Sequence, residues 1–228
     1  MTAFAFLHGA WHTGAIWAPV CAELVRRGHI AFAPNLPCDD PTAGSAEHIA
    51  ALTAATGGEK VVAVGHTTAA LVLPLLPAAT DVERLVYVNG LPPRIGASLL
   101  DQTQDERVGR RSDEGRKYDR EARSYWDDSD AAHRLLGADI AQDQWSWIYA
   151  QMRPQSRMLI REPTPLTEWP ATPTTAVVYT DDADLEIDWM VNVARERLNT
   201  TPIELKGSQL GFVADPAGFV DVLLSQKA

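Results

Sequence analysis

Two hydroxyl side chains follow a short apolar run in the first third of the chain. Thr67 and Thr68 stand in the segment Gly65-His66-Thr67-Thr68-Ala69, directly after the apolar residues 60–64. A hydroxyl on a sharp turn between a strand and a helix attacks a carbonyl carbon when a neighbouring base takes its proton and N–H groups bind the oxyanion. The segment therefore indicates a candidate nucleophile at the end of a strand.

Two histidines lie close enough in the sequence to this chemistry to be candidate bases. His66 stands directly before the first hydroxyl, and His12 lies in a loop after another apolar run. A usable base must come within about 3 Å of the group whose proton it takes, and the alternative is that both rings hydrogen-bond to loop backbone. His29, His48 and His133 fall in predicted linkers or on helix surfaces, where we expect them to be incidental.

The elements that position these groups follow from the apolar pattern. Short apolar runs alternate with segments of helical periodicity, which is typical of a parallel sheet covered by helices. The predicted strands are 3–7, 30–33, 60–64, 84–89, 175–179 and 203–205. The predicted helices are 17–27, 47–56, an apolar helix from about residue 69, and 216–224. The class is therefore α/β, with about six mainly parallel strands.

The alternation stops between about residues 91 and 173. Charged residues crowd positions 101–130, and aromatic residues follow at Trp145, Trp147 and Tyr149. A stretch of this length within one sheet topology is either an active-site lid or disordered, and the aromatic residues favour a packed helical lid over an apolar site. We expect residues 105–123 to form a solvated surface.

These motifs together resemble the α/β-hydrolase superfamily. Segment 65–69 resembles its nucleophile elbow, normally G-x-S-x-G, and Leu7-His8-Gly9-Ala10-Trp11-His12 resembles its strand-end HG loop, in particular that of the small methylesterase, hydroxynitrile-lyase and bacterial esterase branch. Three further stretches resemble the same branch: 35–37, 88–99 and 215–216. The likeness covers nearly the whole chain, so it implies one α/β-hydrolase domain over residues 1–228 with the insertion at about 91–173.

The resemblance implies a role for each catalytic position. It places the nucleophile at Thr67, the acid at Asp182, the histidine position at Gln209, and the oxyanion donors at the backbone N–H groups of Ala10 and Thr68. A glutamine amide has no basic lone pair near neutral pH, and removal of a triad base costs on the order of 10⁴ to 10⁶ in turnover. A standard esterase mechanism is therefore rejected. Burial is expected to raise the pKa of Asp182 unless Gln209 or water satisfies it.

Apolar residues near these positions are candidates for a substrate pocket at the carboxyl ends of the strands. The candidate substrate-binding residues, with the two histidines as neighbours, are Trp11, His12, His66, Leu91, Trp126, Trp145, Trp147 and Leu210. The alternative for a tryptophan at helical spacing is a place in the core.

Composition excludes several classes of function. Thirty acidic and 20 basic residues give a net charge of -10, which repels phosphate backbones and anionic lipid. The two cysteines, Cys21 and Cys38, have no metal or redox spacing, and no dinucleotide fingerprint, phosphate loop or metal-ligand cluster is present. We expect a cytoplasmic protein with a small-molecule substrate, without cofactor, metal, nucleic-acid or membrane partner. The oligomeric state stays open.

Three functions remain. The first is a non-hydrolytic enzyme, a lyase, isomerase or cyclase, including a pericyclic one, that acts on a small apolar metabolite of secondary metabolism through the oxyanion hole. The second is a pseudohydrolase that binds a ligand and does no chemistry. The third is a weak Thr67-dependent esterase. Loss of both serine and base disfavours the third, and the kept oxyanion loop and Asp182 favour the first over the second.

Overall fold

The predicted six-stranded sheet is confirmed. The structure, a computed structural model, describes residues 1–109 and 114–226. Within these residues one sheet has the order β2-β1-β3-β4-β7-β8, and all of its strand pairs are parallel. Its strands are β1 Ala3–Leu7, β2 Ile30–Phe32, β3 Val61–His66, β4 Val82–Val88, β7 Thr174–Tyr179 and β8 Ile203–Leu205. The carboxyl ends of β1, β3, β4 and β7 therefore meet at one edge.

Alternate residues of the central strands build two separate cores. Phe4, Phe6, Val62 and Val64 belong to the hydrophobic cluster on one face of the sheet. Their sequence neighbours, among them Ala5, belong to the cluster on the other face. Because successive side chains in a strand point to opposite faces, strands buried on both faces read as continuous apolar runs, which is why β1 and β3 are visible in the sequence.

Helices cover both faces close to the predicted positions. The first core packs against α1 Ala18–Arg26 and α9 Pro216–Ser225, and the second packs against α2 Ser45–Thr56 and α7 Ile187–Glu196. Arg84 ties β4 to the end of α9, because its Nη2 donates to Leu223 O at 2.8 Å. A cation at the C-terminal carbonyls of a helix also interacts favourably with the helix dipole.

Two expectations about local structure are wrong. The apolar helix expected from about residue 69 is instead two 3₁₀ segments, Thr67–Leu71 and Leu73–Ala78. Pro77 in the second segment lacks an N–H, and in an α-helix its ring would clash with the carbonyl group four residues earlier. His48, expected on a helix surface, is buried, and its Nδ1 bonds to Gly44 O at 2.7 Å. The inward face of α2 was hidden in the sequence by its many alanines.

The segment between β4 and β7 carries elements of its own. These are α3 Leu99–Asp105, a hairpin of β5 Arg116–Tyr118 and β6 Ser124–Trp126, α4 Ser129–Leu136, α5 Gln142–Tyr149 and α6 Met158–Arg161. The hairpin was not predicted. Four residues of the expected solvated surface, 110–113, lie outside the described residues, and Val108 within it is buried. A lid role for this segment stays a prediction.

None of the helices within the described ranges is long and apolar enough to cross a bilayer.

Candidate active site

The sharp turn after β3 is kept with a threonine at its apex. Thr67 has φ +44°, in the left-handed region, which costs a side chain on the order of 1–2 kcal/mol and suits a β-branched one least. The turn presses the hydroxyl against the first loop, since a Cβ on Gly9 would lie 2.1 Å from Thr67 Oγ1. Glycine at position 9 is therefore required by the close approach of the two loops.

A buried histidine fixes the loop after β1. His8 Nε2 accepts from Leu36 N–H at 2.9 Å, so its Nδ1 carries the proton and donates to Gly9 O at 3.0 Å. Burial lowers the pKa of His8 to about 3, which keeps this neutral tautomer in place. Ala10 and Thr68 both line the cavity beyond the loop, and the Thr68 N–H belongs to a first helical turn, where donors have no intrahelical partner.

Asp182 follows β7 and is buried among hydrogen-bond donors. Its Oδ1 accepts the N–H groups of Asp184 and Leu185 at 2.8 and 2.9 Å, and its Oδ2 accepts Asn89 Nδ2 at 2.6 Å. Asn89 is itself held, because its Oδ1 accepts Tyr179 N–H at 2.7 Å. Burial raises the pKa of Asp182 to about 6 even though these donors offset part of the effect. The carboxyl group is thus partnered, yet its pKa rises as expected.

Gln209 lies between Asp182 and the cavity. Its Nε2 is 3.3 and 3.4 Å from the two carboxyl oxygens of Asp182, and its backbone carbonyl accepts His66 Nε2 at 3.2 Å. Gln209 lines the cavity, whereas Asp182 lies behind it. A neutral carboxamide takes this place, so the group that faces both Asp182 and the cavity donates and accepts hydrogen bonds but does not take up a proton.

The structure does not bring His12 or His66 to the cavity wall. Both are buried, and burial lowers the pKa of each to about 3. The His66 ring is in edge contact with the stacked pair of Trp17 and Phe212, with centroids 6.3 and 5.1 Å away. His66 is the last residue of β3, and its side chain points to the same face of the sheet as those of Val62 and Val64. It therefore enters the core on that face. This alternation of side chains along the strand is the signal which could have excluded it.

The cavity has a volume of about 270 Å³ and lies at the carboxyl ends of the strands. Its floor is formed by the catalytic positions and Trp11, one wall is aliphatic, and another wall is polar. The floor is Ala10, Trp11, Thr67, Thr68 and Gln209; the aliphatic wall is Leu91, Leu99, Leu100, Ile160 and Leu185; the polar wall is Arg116, Tyr118, Ser124, Gln155, Ser156, Arg157 and Asp184.

A family model describes this arrangement over almost the whole sequence. The model of the alpha/beta hydrolase family matches residues 4–222. The chain belongs to this family. No curated protein matches the sequence significantly. Among the described residues, no group of three or more His, Cys, Asp or Glu side chains is placed to hold a metal ion.

Solved α/β-hydrolases share the fold at low sequence identity. Methylesterase MES16 from Arabidopsis is 14% identical, with 99% of this chain and 98% of that chain covered and a TM-score of 0.74. A pyrethroid hydrolase from Sphingobium faniae is 15% identical, with 98% and 96% covered and a TM-score of 0.78. A variant of tomato methylketone synthase I in complex with β-ketoheptanoate is 17% identical, with 98% and 96% covered and a TM-score of 0.78. These structures therefore share the α/β-hydrolase fold with this chain.

Among the remaining predicted residues of this α/β-hydrolase site, only Trp11 and Leu91 reach the cavity. Trp126 stands one layer behind, in edge contact with Trp11 at 5.3 Å between centroids. Trp11 Nε1 donates to Ser124 Oγ at 3.0 Å, so Trp11 couples the floor to the polar wall. The first loop and the inserted segment therefore build one continuous surface.

Trp145, Trp147 and Leu210 lie away from the cavity. Trp145 is fully buried and stacks on His133 at 4.8 Å, while Trp147 is 44% exposed. Two residues apart on one helix, these tryptophans point in nearly opposite directions, so they were never able to face one cavity. Leu210 is buried in the core that supports α9.

Sequence reasoning missed the polar wall. Ser124 and Gln155 exchange backbone hydrogen bonds of 2.9 and 2.7 Å, which join β6 to the stretch before α6. This pairing brings Arg116 and Tyr118 to the same wall as Ser156 and Arg157. The residues come from two polar stretches about thirty positions apart in the sequence, and no local motif marks their association.

Proposed function

We propose that this protein is a non-hydrolytic enzyme on the α/β-hydrolase fold: a lyase, isomerase or cyclase, including a pericyclic cyclase, for a small metabolite of secondary metabolism. The observation that carries the proposal is Gln209, which stands between Asp182 and the cavity where a serine hydrolase needs a proton acceptor. The triad is degenerate at two of three positions, while the loop and turn that present N–H groups are kept.

Thr67 lacks the partner that would activate its hydroxyl. Within the described residues no side chain hydrogen-bonds to Thr67 Oγ1, and the buried rings of His12 and His66 have pKa values lowered to about 3. A base with such a low pKa accepts a proton poorly at neutral pH. Covalent acyl transfer through Thr67 is therefore disfavoured.

The remaining groups suit chemistry without a nucleophile. N–H groups aimed at one point stabilise negative charge on a substrate oxygen, and a largely apolar cavity strengthens that interaction by excluding water. Loss of carbon dioxide from a β-keto acid passes through such an enolate without removal of a carbon-bound proton by the protein, and the enolate carbon then takes a proton from water. The same cavity also selects a folded conformer for ring closure. Each of these reactions leaves Thr67 uncharged and unmodified.

One structural neighbour supports this choice of class. It is named a methylketone synthase and is bound to β-ketoheptanoate. A methyl ketone forms from a β-keto acid by loss of carbon dioxide, which generates an enolate and requires no acyl-enzyme. The fold is thus compatible with an enolate-forming reaction, although other neighbours are named as esterases or hydrolases.

The test follows product masses in a panel of β-keto acids, enolisable ketones, polyenes and activated esters incubated in H₂¹⁸O with the protein and without it. The proposal expects products that have lost carbon dioxide or kept the substrate mass, with no more label from water than the incubation without protein shows. It also expects Thr67→Ala to lower turnover by no more than about tenfold, against about 10⁴-fold or more for a true nucleophile.

Two results would favour the other functions. Label from water in the product, together with fluorophosphonate modification of Thr67, identifies a Thr67-dependent esterase. Saturable binding of panel members without turnover of any identifies a ligand-binding pseudohydrolase. Either result overturns the proposal.

A further inference from the structure

We infer that the substrate carries a carboxylate, which Arg157 and the neighbouring serines bind at the polar wall while the aliphatic wall holds the rest of the molecule. The inference rests on the proposed use of this cavity for a substrate, and it replaces the expected wholly apolar ligand by a monoacid with an aliphatic body. Its basis is Arg157, a residue of the cavity lining whose guanidinium group has no hydrogen-bond or ion-pair partner among the described residues.

Among the described residues, no carboxylate forms an ion pair with Arg157 of the cavity lining. Arg157 directly precedes α6 in the chain and lines the cavity. None of the hydrogen bonds or ion pairs among the described residues involves its guanidinium group. By contrast, Arg153, four positions earlier, pairs with Asp39 at 3.2 Å and donates to Leu36 O at 2.9 Å. A guanidinium offers five donors in a planar fork that matches a carboxylate.

Two hydroxyl groups beside Arg157 have protons to donate. Ser156 Oγ accepts Met158 N–H at 3.1 Å, and Ser124 Oγ accepts Trp11 Nε1–H at 3.0 Å. Each hydroxyl thereby uses one acceptor position and keeps its own O–H for another partner. Both serines line the cavity, so the donors of this wall outnumber its fixed acceptors.

The charge of the cavity differs in sign from that of the whole chain. Arg116 and Arg157 line it with one carboxylate, Asp184, whereas the protein carries a net charge of -10. Arg116 lies over the rings of Trp11 and Trp126, with its guanidinium carbon 5.7 and 5.8 Å from their centroids. The two guanidinium groups attract an anion to this wall, and the carboxyl group of Asp182 behind Gln209 offsets part of that attraction.

Hydrophobic groups define the rest of the ligand. The wall of Leu91, Leu99, Leu100, Ile160 and Leu185 has no aromatic member, and it fits an alkyl or alicyclic body better than a second polar group. A molecule with one carboxylate and an aliphatic body satisfies both walls. Its carbonyl or other reacting oxygen would then meet the floor of Ala10 and Thr68.

The test compares octanoate with octanamide, which has the same alkyl chain and no charge, by isothermal titration calorimetry at pH 7.5. Arg157→Gln removes the cation from the cavity. Arg161→Gln makes the same change of charge one helical turn later on α6, at an exposed residue that does not line the cavity. Circular dichroism and thermal melting verify that both variants fold.

For the parent and for Arg161→Gln, we expect the affinity for octanoate to be at least about tenfold higher than the affinity for octanamide. Hydrogen bonds to charged groups are stronger than those between neutral groups. Arg157→Gln should lose this preference and keep its affinity for octanamide. Equal affinity for acid and amide in the parent, equal octanoate affinity in both variants, or no binding of octanoate overturns the inference. Because calorimetry needs no turnover, these outcomes are separate from those of the product-mass test.

Discussion

Three buried histidines around the candidate active site make a sharp prediction about acid stability. Burial lowers the pKa values of His8, His12 and His66 to about 3 in the folded chain, against an ordinary value near 6.5. Below pH 6.5 these three rings are protonated in the unfolded chain but stay neutral in the folded chain. The free energy of unfolding therefore falls as the pH falls.

The magnitude follows from the difference in pKa. Between pH 7 and pH 5 each histidine costs about 2 kcal/mol, or about 6 kcal/mol for all three. Asp182 acts in the opposite direction: its pKa is raised to about 6, so the folded state takes up its proton first and gains about 1 kcal/mol over the same interval. The net loss is about 4 kcal/mol, a large fraction of the total stability of a typical domain.

The assay is urea denaturation followed by tryptophan fluorescence at several pH values from 7 to 5. Near pH 5 the unfolded chain should hold about two more protons than the folded one, which gives a slope of roughly 3 kcal/mol per pH unit. His12→Leu removes one of these protons and should halve the slope.

Histidine ring signals in NMR spectra provide the decisive check. Rings that stay neutral in the folded protein down to pH 5 agree with the structure. Titration of His12 or His66 between pH 5 and 8, or a slope that His12→Leu does not alter, would refute the reasoning. Either ring would then be a candidate base for Thr67.

Three further variants, the first of them a double substitution, test the geometry of the site. The double variant of Thr67→Ser and Gln209→His places a base beside Asp182, whose Oδ2 lies 3.3 Å from the present Gln209 Nε2. This variant should raise hydrolysis of p-nitrophenyl acetate by roughly 10² or more. Gly9→Ala adds a Cβ 2.1 Å from Thr67 Oγ1 and should lower the free energy of unfolding by about 1–3 kcal/mol in urea titrations. Asn89→Leu should cost about 2–4 kcal/mol at pH 7 and less at pH 5, where protonated Asp182 needs its donor less.

The sequence predicts those parts of the fold that depend on local pattern. Strands β1 and β3 are apolar on both faces, and the turn at Thr67 is marked by the strand before it. The hairpin of Arg116–Tyr118 and Ser124–Trp126 escaped prediction because two three-residue strands in a charged stretch have no periodicity to detect.

Side-chain direction limits what can be predicted about the site. Ala10, Thr67, Thr68 and Gln209 were predicted from the resemblance to the α/β-hydrolases, and all four line the cavity. His66 lies next to Thr67 in sequence, yet strand alternation turns its ring into the core. Arg157 reaches the cavity only through the tertiary pairing of Ser124 with Gln155.

Gln209 explains why a buried Asp182 is compatible with the loss of a histidine. With Nε2 turned to Asp182, the amide gives the carboxylate a fourth donor beside Asn89 Nδ2 and the two backbone N–H groups. Its Oε1 is the amide atom not turned to Asp182, so in the proposed mechanism a neutral acceptor accompanies the N–H groups of Ala10 and Thr68 on the floor. Such a pair orients an enol or hydroxyl through hydrogen bonds while its proton stays in place. A floor of this kind favours a substrate that rearranges or fragments within the cavity over one that acylates the protein.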